Sequence, residues 1–271
     1  MAPRRPAAGD ESACLHAGGR AAAWGNLGLW RSTADDYAGA CEALARAVGE
    51  AAALRPGDRV LGLACGAGEE LALWRVAFGA GALAGIEADE RLARAAAARV
   101  PDAELRVGPA QDLLADMAQR FDAVLCVDAV YHLGPRLPLF ERVAGVLEVG
   151  GRFAFTDLVL DREPSPPLAA MARLAGVPID ELADLPTRVA QLRAAGFAEV
   201  VATRLDEAVL GGFARFAAAQ AARFGWRAWH PGWRRVALTA RLIGPCRRAG
   251  LGYALLAATW PGRPAAGPPH T

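Results

Sequence analysis

Between residues 60 and 157, short apolar runs alternate with longer Ala/Leu/Arg stretches whose apolar positions recur at helical spacing. The runs predict strands at Val60–Leu63, Leu83–Glu87, Glu104–Val107, Ala123–Cys126 and Phe153–Thr156. The stretches between them predict helices at Glu69–Phe78, Glu90–Arg99, Gln111–Arg120 and Leu137–Leu147. Glu148-Val149-Gly150-Gly151 reads as the stop of the fourth helix and the turn into the fifth strand. Strands separated by helices give a parallel sheet covered by helices, because a parallel crossover needs an intervening element.

After Asp157 the rhythm changes. A proline-rich link, Glu163 to Pro167, leads into helices. Ala194-Ala195-Gly196-Phe197 stops a helix ahead of a strand at Val200–Leu205. A long helical stretch over 211–249, rich in Arg and aromatic residues, precedes a last strand at Gly252–Thr259. The expected organisation is one domain over 23–262, with a helical lid at 23–55 and a cap at about 158–190 and 211–249. The segments 1–22 and 263–271 read as disordered tails.

Composition narrows the function classes. The chain has 271 residues, 54% of them hydrophobic, enough for one large core. A net charge of +1 argues against nucleic acid as an obligate partner, since binding phosphates takes a clustered excess of base. All basic side chains are Arg, which with the abundant Ala reads as GC-rich coding. Five widely spaced cysteines with no CxxC pair support neither a zinc cluster nor a disulfide framework, so no metal is expected and a reducing, cytoplasmic compartment is the default. The Arg- and Ala-containing start also suits an organellar leader, against which Asp10 and Glu11 weigh. No apolar run predicts stable membrane insertion. A monomer or a homodimer is expected.

The candidate chemistry sits at VLGLACGAGEE, residues 60–70. In a doubly wound sheet, ligands bind beyond the carboxyl ends of the strands where strand order reverses. Gly66 and Gly68 let the main chain approach a ligand, and the helix opening at Glu69 offers free N–H groups. Glu87 ends the next strand, where a carboxylate can take both hydroxyls of a ribose. Nicotinamide-dependent enzymes share this arrangement.

Several short motifs in order then carry a more specific resemblance. They are Trp24-Gly25-Asn26-Leu27-Gly28-Leu29-Trp30, the Cys65–Gly68 turn, Gly85-Ile86-Glu87, Phe121-Asp122-Ala123-Val124, Tyr131-His132-Leu133, Gly150-Gly151-Arg152, Ala195-Gly196-Phe197 and Gly250-Leu251-Gly252-Tyr253. Over roughly residues 24–260 the chain resembles the class I S-adenosylmethionine-dependent methyltransferases, in particular the small-molecule enzymes of ubiquinone, sterol and tocopherol type. The resemblance implies an α/β, doubly wound, Rossmann-like sheet of seven strands with the last antiparallel. It also implies S-adenosylmethionine as cofactor and a small, fairly apolar acceptor methylated at O, N or C.

Residue by residue, it assigns Cys65, Gly66 and Gly68 to the methionine part of the cofactor. Glu87 and Ala88 fall to the ribose, and Ala110 and Gln111 to the adenine. Cys126, Val127 and Asp128 lie beside the transferable methyl, with Asp128, Tyr131 and His132 as candidates to orient or deprotonate the acceptor. Trp30 and Tyr37, with Trp24, would turn π faces to the sulfonium, or else pack a lid helix on the domain. The cap would line an apolar acceptor pocket, pack as an ordinary cap or touch a membrane surface.

Three positions depart from the family pattern. It has an acid where Gly62 stands, glycine at Ala64 and an acid at Pro109. A lost charged hydrogen bond costs roughly 1.5–3 kcal/mol, and Glu69 and Asp112 are nearby acids that could substitute. Two rivals follow: a catalytically inactive relative kept as a binding or regulatory protein, and an NAD(P)-dependent oxidoreductase. The second fits worse, because the third glycine of its fingerprint would fall at Leu71.

Overall fold

A computed structural model describes residues 23–32, 36–164, 177–224 and 231–262, with Pro166, Ala169 and Ala172. The two expected tails lie outside the described residues. The elements in chain order are α1 (Tyr37–Ala51), β1 (Arg59–Leu63), α2 (Glu69–Phe78), β2 (Ala82–Glu87), α3 (Glu90–Arg99) and β3 (Glu104–Val107). They continue with α4 (Ala110–Ala115), β4 (Phe121–Cys126), a 3-10 turn (Val130–His132), α5 (Arg136–Val146) and β5 (Leu147–Leu160). A second 3-10 turn (Ile179–Glu181), α6 (Leu185–Ala194), β6 (Ala198–Arg204), a π turn (Glu207–Gly211), α7 (Gly212–Phe224), α8 (Pro231–Arg248) and β7 (Leu251–Trp260) follow.

The strands form one seven-stranded sheet in the order β3-β2-β1-β4-β5-β7-β6. The pairs among β1 to β5 are parallel, whereas β7 runs antiparallel to both β5 and β6. The sheet is thus the doubly wound one expected, with its late strands antiparallel. Strand order reverses between β1 and β4, which puts the ligand crevice beyond their carboxyl ends.

The core lies on both faces of the sheet. On one, Leu44 and Val48 of α1 and Leu71 and Trp74 of α2 are buried. On the other, Phe140 of α5 meets Phe153 and Phe155 of β5, with ring centroids 5.8 and 5.3 Å apart. The near-continuous apolar runs of β1 and β4 reflect strands covered on both sides.

Three boundaries differ from the sequence reading. Glu148 to Gly151 lie inside β5 and are not a turn ahead of it: Gly150 takes φ +79°, and the pairing with β4 shifts register there. A bulge admits an extra residue without ending a strand. At its far end β5 runs to Leu160, past Asp157, because β7 pairs with it continuously from Gly151 to Leu160. The expected helix over Gln111–Arg120 is shorter, as the chain leaves it after Ala115 to bury Met117. Among the described residues no helix is long and apolar enough to cross a membrane.

Candidate active site

The turn after β1 is built from left-handed residues. Ala64, Gly66 and Gly68 have φ of +52°, +54° and +80°. Gly68 is forced as well by space, since a Cβ there would stand 2.9 Å from the Ala96 backbone. Gly66 is the opposite case: a Cβ on it would meet nothing within 4 Å, so the turn faces open space. Gly68 N–H donates to Cys65 O at 2.9 Å and caps the turn, and α2 begins at Glu69.

Glu87 reaches back to this turn from the end of β2. Its Oε2 accepts the Gly66 N–H and its Oε1 the Asp89 N–H, each at 2.9 Å. Both oxygens keep a lone pair, which is what a ribose diol needs. Ala88 beside it is exposed. At the next strand end Ala110 is buried and opens α4, whose N-cap, Pro109, supplies no side-chain bond. The Gln111 side chain is committed elsewhere: its Nε2 donates to Leu133 O at 2.7 Å, and its Oε1 accepts from Arg142 at 2.6 Å. Only the main chain of Gln111 is left to face an adenine.

Past β4, Cys126 and Val127 are buried, and Asp128 turns with φ +54°. Its carboxylate joins the lid, the 3-10 turn and β7. Oδ1 accepts the Tyr131 hydroxyl at 2.9 Å and the Tyr253 hydroxyl at 2.7 Å, while Oδ2 accepts the Leu27 N–H at 2.7 Å. The Asp128 N–H donates to Thr156 Oγ1 at 2.7 Å. Burial raises the Asp128 carboxyl to about 6, against which the hydrogen bonds from Tyr253, Leu27 and Tyr131 pull. His132 is exposed, with its ring 4.4 Å from that of Tyr131. Burial raises the Cys65, Cys126 and Cys41 thiols, so none of them is a ready thiolate nucleophile.

The lid is tied down by the acids of this crevice. Glu69 accepts the Ala23 N–H at 2.7 Å, Asp128 accepts the Leu27 N–H, and the Asn26 side chain donates to Glu70. Asn26 also caps its own loop, accepting Gly28 N–H at 2.9 Å, and its carbonyl takes the Tyr37 hydroxyl at 2.7 Å. Trp30 and Tyr37 spend their faces on the cap: Phe216 of α7 stacks on Trp30 at 4.6 Å and on Tyr37 at 5.9 Å. The lid aromatics thus pack on the cap. Trp24 is buried.

The departures at 62, 64 and 109 have structural counterparts. A Cβ on Gly62 would lie 2.9 Å from Leu71 Cδ2 and 3.4 Å from Trp74, so apolar side chains fill the place of the family's acid. Ala64 keeps the left-handed turn at a cost of roughly 1–2 kcal/mol. Of the proposed substitutes, Glu69 is spent on Arg99 at 2.8 Å, and Asp112 is exposed on α4. Glu70, which the sequence reading passed over, stands half-buried in the first turn of α2. Its signal was its place one residue into a helix that opens on a glycine turn. Burial and then the charges of Glu87, Asp128 and Glu69 hold its carboxyl well above the usual range.

The crevice thus gathers Glu70, Glu87 and Asp128 in front of an open glycine turn, a setting for a ligand carrying hydroxyls and positive charge. S-adenosylmethionine has both, and these residues would suit it: Glu87 would face its ribose, the Gly66–Gly68 turn its methionine part and the carboxylates its cations. Among the described residues no group of His, Cys, Asp and Glu could hold a metal ion.

Residues 61–155 match a family model described as a methyltransferase domain. The chain is 32% identical over 190 residues to the erythromycin 3''-O-methyltransferase of Saccharopolyspora erythraea, covering 65% of this chain and 62% of that one. A putative sarcosine dimethylglycine methyltransferase from Galdieria sulphuraria superposes with TM-score 0.76 at 15% identity, over 93% of this chain and 98% of that one. Phosphoethanolamine N-methyltransferase 2 of Haemonchus contortus, solved with S-adenosylhomocysteine, superposes with TM-score 0.67 at 15% identity, over 80% and 52%. The chain therefore spans less than two thirds of the erythromycin enzyme and about half of the Haemonchus enzyme.

Proposed function

We propose that this chain is a class I S-adenosylmethionine-dependent methyltransferase, a reading supported by the match of residues 61–155 to a methyltransferase domain and by the order of its sheet. It transfers the methyl of S-adenosylmethionine to a small-molecule acceptor. The erythromycin relative favours a hydroxyl oxygen as the attacking atom. The observation that carries the reading is Glu87 bonded to the Gly66 N–H across the switch point of the sheet.

The cofactor supplies an electrophilic methyl on a sulfonium, and in-line attack on it needs little covalent help. The chain's contribution is to hold both reactants in line and keep water out. The lid loop 23–30 covers the crevice through its three acid contacts. Asp128, fixed by two tyrosines, orients the end of β4, and His132 stands at its rim to orient an acceptor hydroxyl or take its proton. The buried aromatics of α1 and α7 favour an acceptor with an apolar body. Monomer or homodimer, a cytoplasmic setting and the absence of a nucleic-acid partner belong to the same proposal.

Incubation with methyl-labelled S-adenosylmethionine and a panel of hydroxylated small molecules tests it. Label transferred to an acceptor oxygen, with S-adenosylhomocysteine released, is the expected result. Bound cofactor with no transfer to any hydroxyl would turn the reading toward another acceptor atom or an inactive relative.

A further inference from the structure

The Asp128 carboxylate is held by a hydrogen-bonded ring that reaches it from the last strand. The Asp128 N–H meets Thr156 Oγ1 at 2.7 Å, Thr156 Oγ1 lies 2.8 Å from the Tyr253 hydroxyl, and that hydroxyl lies 2.7 Å from Asp128 Oδ1. Thr156 and Tyr253 are fully buried and Asp128 is nearly so. Counting hydrogens gives the ring its direction. A carboxylate only accepts and each hydroxyl has a single hydrogen, so Tyr253 donates to Asp128 and Thr156 donates to Tyr253. All the hydrogens then point the same way round, and bonds in such a chain strengthen one another.

Tyr253 is fixed at its own main chain. Its N–H donates to Asp206 Oδ1 at 2.6 Å, and its carbonyl accepts the Leu205 N–H at 2.8 Å. On the other side of the ring, Asp128 Oδ2 takes the Leu27 N–H of the lid at 2.7 Å. Turning the carboxylate toward any other donor would carry Oδ2 away from that N–H. The far end of the lid is held from the same corner, since the Trp30 N–H donates to Ala208 O at 2.9 Å, two residues past Asp206. We infer that Tyr253 is a positioning residue for the cofactor cleft: its hydroxyl sets the Asp128 carboxylate at the angle that latches the lid over the bound cofactor. The inference rests on the methyltransferase reading and deepens it.

The latch needs the carboxylate ionised. Tyr253, Tyr131 and Leu27 all donate to it, and a proton on it would face them as a fourth hydrogen. Burial raises this carboxyl to about 6 against the pull of those bonds, so the latch holds above that pH and is lost as pH falls through it. Removing the Tyr253 hydroxyl removes one of the bonds that pull the carboxyl down, so the loss moves to higher pH. Glu70 of α2, Tyr37 and Cys41 of α1, Cys126 of β4 and Tyr131 of the 3-10 turn also face Asp128, and His132 stands beside Tyr131. Wild type and variant share all of these, so the shift between their two profiles reports on the ring.

The test follows release of labelled S-adenosylhomocysteine, chased with unlabelled compound, from wild type and Tyr253→Phe between about pH 5 and pH 8. Phe keeps the packing of the side chain and removes only the hydroxyl. Release near pH 8 should be at least about tenfold faster from the variant, and its acceleration on acidification should begin about one pH unit higher. Thr156→Val should show both changes, while Thr156→Ser, which keeps the hydroxyl, should track wild type. That pair carries the same test if Tyr253→Phe does not fold. Equal release rates, faster release with an unshifted profile, or Thr156→Ser behaving as Thr156→Val would each overturn the assignment. Wild-type protein that binds no S-adenosylhomocysteine would remove the methyltransferase reading along with it. Wild-type binding with coincident profiles would remove this inference alone.

Discussion

At the residue scale, Asp128 is held by strain and by bonds together. Its φ of +54° is a conformation that side chains other than glycine rarely take, and three donors from the lid, the 3-10 turn and β7 pin it there. Its carboxyl is raised from 3.8 to about 6, chiefly by burial. The folded state therefore binds the proton more tightly than the unfolded chain does. Stability from this group is full below about pH 4 and is lost as pH rises through about 6. Urea denaturation of wild type and Asp128→Asn should show it. Relative to wild type, the variant should gain about 2 kcal/mol between pH 4.5 and pH 7. A difference independent of pH would mean that Asp128 is not held above the usual carboxylate range.

The residues the sequence made legible were those with a conformational or positional signature. Gly66, Gly68 and Glu87 were readable because a tight turn and a strand end leave few alternatives. Glu70 and Tyr253 were not, since what matters about them is which distant groups they meet. Tyr253 reaches Asp128 from 125 positions away. The loss at Gly62 was readable as an absence, but that Leu71 and Trp74 fill the space is a fact of packing.

At the scale of elements, β5 is the organiser beyond the crevice. It pairs with β4 on one side and β7 on the other, and carries the fully buried Asp157. Arg136 at the start of α5 lies 3.3 Å from Asp157 and Arg188 of α6 lies 3.0 Å from it, all three with no exposed side-chain surface. Other guanidinium donors go to Gly134 O, Glu181 O and Gln191 Oε1. One carboxylate thus fixes two helices on the sheet. Removing it leaves two buried cations facing each other. Asp157→Asn should cost about 3–5 kcal/mol by urea denaturation, and Arg188→Met in that background should recover part of the loss. A cost below about 1 kcal/mol would show that the triad does not hold α5 and α6 in place.

The strands themselves were legible to within a few residues, apart from β5. Their apolar runs report a sheet buried on both faces, and that is local information. β5 was read too short because its bulge at Gly150 resembles a turn, and because its far half is a strand by virtue of β7, ninety and more residues later. The helical stretch expected over 211–249 contains α7 and α8, with residues 225–230 between them outside the described residues.

At the scale of the molecule, the sheet order places the turn after β1, the end of β2 and the end of β4 around one crevice, with the lid drawn over it by Glu69, Glu70 and Asp128. The late antiparallel pair β6 and β7 distinguishes this sheet from an all-parallel nucleotide-binding one, and that order was visible in the spacing of the last two strands. The acceptor was not, because the cap that would select it is defined by packing among helices far apart in sequence.

The central claim is that the Gly66–Gly68 turn and Glu87 grip the adenosyl cofactor despite the altered neighbours. The direct measurement is the dissociation constant of S-adenosylmethionine for wild type and for Glu87→Ala, read by calorimetric titration. One site per chain, weakened at least about tenfold by the substitution, is the predicted result. Wild type that binds no S-adenosylmethionine, or an equal affinity for the two proteins, would contradict the account.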